Sequence, residues 1–132
     1  MKKVCLACHQ VTFTNNFFQR SDAAVKVFNQ YEASASKMFK TLASKGLIKE
    51  DLWSDPFFKL YYYLWHYEGT RFRHAAAMGS PDYAHWHGVF QVMQDIREMN
   101  DIYNYRMKMY KKYHNAKKVL KNEPPMPVVT HE

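Results

Sequence analysis

Apolar positions recur along this chain at the spacings of long helices. Ala24, Phe28, Tyr31, Ala35, Met38 and Leu42 follow one another in alternating steps of four and three, the seam of a helix packed along its length on another. Ser21-Asp22 is placed to cap that helix, and Gly46 to end it just after Lys45. The stretch before it, Gln10 to Gln19, mixes polar and aromatic residues without a clear period and reads as a connector. After a turn over residues 46–54, Asp55-Pro56 opens a second helix with an acidic cap and a proline at its first position. From Phe57 to Tyr67 seven of eleven residues are Phe, Tyr or Trp, too many for one face of a surface helix, so this helix is expected to be covered on several sides. The pattern weakens at Met78-Gly79 and restarts at Ser80-Pro81, again a cap followed by a first-turn proline. A third helix can then run to about Leu120, about 60 Å. Val89, Val92, Ile96, Met99, Tyr103, Met107 and Tyr110 form its apolar stripe.

The expected fold is all-α, about three long helices in an elongated bundle, with no strand pattern and no internal repeat. Its longest helix overruns a globule of 132 residues and is expected to pack on other chains or domains. The chain divides into residues 1–20, the long-helix domain 21–121 and a tail over 122–132, where Pro124, Pro125 and Pro127 oppose a helix.

Composition narrows the picture in three ways. No apolar run approaches the roughly 18 residues of a membrane span. Ten Tyr, nine Phe and three Trp against four Gly suit helices packed around flat, bulky groups. The net charge of +7 sits in one segment, because Arg106, Lys108, Lys111, Lys112, Lys117, Lys118 and Lys121 fall between Tyr105 and Lys121 without an acidic residue. The plain reading is a solvated helix end whose cations complement the helix dipole. A nucleic-acid surface and a contact for the acidic groups of a bound cofactor or an acidic partner are the alternatives, and no nucleic acid is expected.

The strongest chemical signal is Cys5-Leu6-Ala7-Cys8-His9. C-x-x-C-H spaces two thiols to form thioethers with the two vinyl groups of one haem and sets an imidazole beneath its iron. Cys5 and Cys8 would thus attach a c-type haem and His9 would be its proximal iron ligand. A half-zinc site or a redox dithiol competes, but the chain has only two cysteines, and no βαβ pattern follows. Attachment of this kind takes place outside the cytoplasm, and Met1-Lys2-Lys3 is followed by no apolar signal core before Cys5. An extracytoplasmic location is therefore expected if the chain is part of an exported protein, and otherwise the site is never loaded.

Other histidines are candidates to face a haem. His66 and His74, eight apart, fall within about 80° of each other on an ideal helix. The bland alternative for each is a hydrogen-bonded core or surface histidine.

Residues 71–88 read RFRHAAAMGSPDYAHWHG, and with the upstream CLACH and the long helices this segment resembles the C-terminal part of octahaem hydroxylamine oxidoreductases. The resemblance rests chiefly on PDYAHWHG and covers Cys5 to the third helix. It implies multihaem electron transfer, mostly through bis-His haems, with one catalytic haem bonded to a tyrosine from a neighbouring subunit of a trimer. Members oxidise hydroxylamine or hydrazine, and some relatives reduce nitrite. On this resemblance Cys5, Cys8 and His9 match the last attachment motif, Tyr83 matches the cross-linking tyrosine, and His87 is the first candidate for a distal ligand, followed by His74 and His85. Gly88, beside His87, leaves room for a porphyrin to approach closely. The implied partners are the rest of the multihaem polypeptide or its other subunits in a homotrimer, and a cytochrome or quinone-linked redox partner. Seven attachment motifs are missing, the catalytic haem's among them, so the chain is not expected to be catalytic alone.

Other readings stay open. Tyr83 can instead pack on a haem edge and hydrogen-bond through its hydroxyl, and His87 can bind a propionate. The chain can also be a free-standing monohaem electron carrier with His9 and a methionine such as Met78 as axial ligands. A helical interaction module with unused cysteines is a third reading.

Overall fold

The computed structural model describes the backbone of residues 1–122 and side chains as far as residue 115, so the proline-rich tail and Lys117, Lys118 and Lys121 lie outside the described side chains. Among the described residues there is no strand. A short helix, Lys2–Cys5, precedes three long helical segments: Val11–Ser44, residues 56–77 and residues 81–122. No described helix is long and apolar enough to cross a membrane.

The first long helix begins ten residues earlier than its sequence suggests. Gln10 occupies the N-cap in an extended conformation without a side-chain cap bond, and the helix runs unbroken through Ser21-Asp22. Once a helix is nucleated, each further residue adds a hydrogen bond at small cost, so a weakly patterned stretch joined to a strongly packed seam can simply extend it. Phe17 and Phe18 are partly buried in this extension, and Thr14 is buried. The seam itself is as expected: Phe28, Ala35, Met38 and Leu42 are buried, and Ala24 and Tyr31 pack at its margin.

Both helix ends marked by glycine close in the same way. Gly46 adopts φ 65°, its amide bonds the Ala43 carbonyl, and the Leu47 amide reaches back to Leu42. Gly79 adopts φ 66°, with its amide on Ala76 and the Ser80 amide on Ala75. These paired bonds satisfy carbonyls that a helix end would leave orphaned, and the left-handed residue they require is cheap only for glycine.

The second helix starts as expected, with an Asp55 carboxylate oxygen accepting from the Phe57 and Phe58 amides ahead of Pro56. Its middle departs from α-helical geometry, because Leu64–Glu68 forms a π-turn. A second π-turn, His85–Val89, lies near the start of the third helix. A π-turn inserts the equivalent of one extra residue, so the faces before and after it rotate relative to one another. The ideal-helix angle between His66 and His74 therefore does not hold. Aromatic coverage is also less than expected: Phe57 and Leu64 are buried, whereas Tyr63, Trp65 and Tyr67 are about half exposed. Among the described residues, two helices and Trp53, which packs on Phe58 and Tyr62, cover this segment in part and leave Tyr63, Trp65 and Tyr67 at the surface.

The third helix buries Val92 and Met99 and packs Val89, Ile96, Tyr103 and Met107 against the same core. Near its far end Lys45 lies 4.8 Å over the Tyr110 ring. Residues 81–122 span about 60 Å, and the core they share with the first two helices is built on Phe28, Leu42, Phe57, Leu64 and Met99.

Candidate functional site

Cys5 closes the short N-terminal helix, and the chain then curls on itself, the amides of Cys8 and His9 both donating to the Cys5 carbonyl at 3.2 and 2.9 Å. That curl gathers the two sulfur-bearing residues and His9 into one helical turn. Both thiols are free, Cys5 half-buried and Cys8 exposed, and His9 is exposed with its ring stacked on Phe13 at 5.0 Å. Two accessible thiols and an exposed imidazole are the donor set that a covalently attached haem needs, so the residues present fit that group. Among the described residues no three His, Cys, Asp or Glu side chains gather as a ligand shell for a metal ion.

The second candidate locus is the corner at Gly79. Ser80 stands at the N-cap of the third helix, but its side chain makes no cap bond, so the start is set by Pro81 and the preceding glycine turn alone. Tyr83 sits in the first turn, about half exposed, with its ring 4.8 Å from that of His87. His87 is exposed within the π-turn. The structure thus brings Tyr83 and His87 together. His85 is exposed and packs edge-on to Trp86, and His74 is exposed near the end of the second helix. His66 lies against Tyr62, with ring centroids 4.2 Å apart. Among the described residues no aromatic contact joins His9 to His74, His85 or His87. Met78 is largely exposed at the helix end.

Gly88 has a different role from the one expected of it. It is buried, and a Cβ there would meet Phe72 of the second helix, 3.1 Å from its Cα and 3.0 Å from its Cβ. Its missing side chain lets two helices touch at the π-turn.

Between the first long helix and the corner lies a cleft of about 530 Å³. Phe13, Phe17 and Arg20 line it from the first helix, and Phe72, Ala76 and Pro81 line it from the other side. Phe13 belongs to both features, stacking on His9 and walling the cleft. The sequence carries a trace of this face, because Phe13, Phe17, Arg20 and Ala24 follow helical spacing through the stretch read as a connector.

Two further groups escaped the sequence reading. Arg106, placed there in a solvated basic run, pairs with buried Asp55, whereas Lys108, Lys111 and Lys112 are exposed as that reading expects. Glu68 in the first π-turn and Asp95 in the third helix each bury one carboxylate oxygen without a hydrogen-bond partner. Burial, with the charges of Glu68 and Glu98 nearby, pushes the Asp95 carboxyl up to about 7. Asp95 lies three residues after Val92 and four before Met99, so the stripe itself placed it toward the core.

Comparison with known proteins returned no matching family model, no matching curated protein and no matching solved structure.

Proposed function

We propose that this chain is the C-terminal portion of a multihaem c-type oxidoreductase acting on hydroxylamine or hydrazine, carrying one electron-transfer haem and donating Tyr83 to a neighbouring subunit's catalytic haem. The observation that carries this reading is the turn of Cys5 to His9, with both thiols free and the imidazole exposed. Cys5 and Cys8 would hold the group through thioethers to its two vinyl groups, and His9 would offer an imidazole nitrogen to its iron. When bound, a haem supplies a one-electron carrier at this end of the chain.

The remaining roles fall to the corner. His87 is exposed enough to reach an iron outside its own helix, and Tyr83 packs beside its ring with centroids 4.8 Å apart. Tyr83 is held by a proline-led first turn and is accessible, which suits a side chain that reaches into another subunit. Exposed aromatics at the two π-turns, Trp65 and Tyr67 in the first, Trp86 in the second and Phe90 just after it, give such a subunit a surface to cover, in keeping with a trimer. The compartment is extracytoplasmic, and the chain does not run the reaction alone.

The test is Tyr83→Phe in the complete assembly. The wild type should show covalently joined subunits on denaturing electrophoresis and a tyrosine–haem adduct by mass spectrometry, and the variant should lose both. Wild-type subunits that run singly, with no adduct, would show that Tyr83 is structural.

A further inference from the structure

We infer that the cleft between the first helix and the Gly79 corner is a slot for the flat face of a tetrapyrrole, with Arg20 placed to bind one of its carboxylates. The cleft's volume of about 530 Å³ lies within the range of small-molecule and cofactor sites. Its lining combines two kinds of side chain. Phe13, Phe17 and Phe72 are aromatic, and Ala24, Ala75, Ala76, Gly79 and Ala84 are small, with both kinds contributed from each side of the cleft. A cleft lined by aromatic and small apolar residues accommodates a large planar apolar group better than a branched or globular one.

Polarity along the rim adds the second half of the argument. Arg20 lines the cleft, is exposed, and forms no ion pair among the described residues. A guanidinium at the mouth of an apolar slot suits an anionic group on the rim of an otherwise apolar ligand, and it can grip a carboxylate with two parallel bonds. A tetrapyrrole with propionate arms combines both features. The slot also adjoins the attachment turn, since Phe13 contacts His9 on one side and lines the cleft on the other. This deepens the haem reading above, yet the slot is a non-covalent feature and can be tested without the thioethers.

The experiment is a titration of the full-length chain carrying Cys5→Ser and Cys8→Ser with ferric protoporphyrin, followed by induced circular dichroism in the Soret region. Saturable one-to-one binding is expected, weakened by about tenfold or more in Ala76→Phe, which fills the slot. Arg20→Leu should weaken it several-fold, and Arg20→Lys should restore part of the loss. Arg20 is at the surface, so its variants should fold normally even if Ala76→Phe does not, and far-ultraviolet circular dichroism checks this. Absence of saturable binding, or equal binding by properly folded Arg20→Leu and unsubstituted chains, would overturn the inference. Porphyrin binding by a chain that never acquires covalent haem would support the slot while sinking the attachment reading, so the two failures are distinguishable.

Discussion

Asp55 and Arg106 are 51 residues apart in sequence, yet the guanidinium grips the carboxylate with two bonds of 2.9 and 3.0 Å. The same Asp55 accepts from the amides of Lys49, Phe57 and Phe58, and Arg106 also donates to the Leu47 carbonyl at 2.8 Å. One buried carboxylate therefore caps the second helix, organises the turn after the first and anchors the third. Burial alone would push the Asp55 carboxyl up, but the hydrogen bonds from Arg106 and from the Lys49 and Phe58 amides, with the Arg106 charge, hold it below the usual range.

Removing one partner should cost more than the pair contributes, because it leaves the other charge buried without compensation. Arg106→Leu is expected to destabilise the chain by about 3–5 kcal/mol in urea unfolding. A loss within about 0.5 kcal/mol, the scale of ordinary surface changes, would show that the pair is incidental. Since the Asp55 carboxyl is depressed when folded, its contribution is present above the unfolded value and fades as the pH falls through the folded one.

Asp95 should act with the opposite sign. Its carboxyl is raised to about 7 from 3.8, so between those values the folded chain keeps a proton that the unfolded chain releases. Stability should fall as the pH rises through that window, with a slope below about 1.4 kcal/mol per pH unit because the site is partly solvated. Asp95→Asn should remove this component and be more stable than wild type above pH 7. Parallel thermal-midpoint profiles for the two proteins across this range would refute the assignment.

Much of this architecture was legible because periodicity reports one thing well: which residues face a common core. The seam of Phe28, Ala35 and Leu42, the stops at Gly46 and Gly79 and the start at Asp55-Pro56 all follow from local chemistry, and all stand in the structure. The first helix's true start was not marked, since Gln10 offers no side-chain cap and Gln10 to Gln19 carries only the sparse spacing of Phe13 and Phe17 that leads into the seam. Neither π-turn announces itself in sequence: the first undoes the ideal-helix angle between His66 and His74, and the second seats Gly88 against Phe72. Of the candidate residues, Cys5, Cys8 and His9 were legible as a group, because their close spacing puts them in one helical turn. The cleft was not, because it forms between segments about 60 residues apart.

The close approach at Gly88 gives a sharp test of the π-turn contact. Alanine there would normally gain about 1 kcal/mol of helix propensity, but its Cβ would sit against the Phe72 backbone, 3.1 Å from Cα, which cannot swing away as a side chain end could. Overpacking of about 1–3 kcal/mol should dominate, so Gly88→Ala is expected to lower stability in chemical denaturation. A stabilised variant would mean the helices are free to separate there.

If Cys5, Cys8 and His9 hold a covalent haem as proposed, the intact mass of the chain records it. The chain should be produced with an export signal alongside cytochrome c maturation machinery, then denatured and weighed beside Cys5→Ser/Cys8→Ser. A haem-sized increment on the unsubstituted chain alone, resistant to acid–acetone extraction, is the predicted result. A folded chain carrying two unmodified thiols after that treatment would contradict the account.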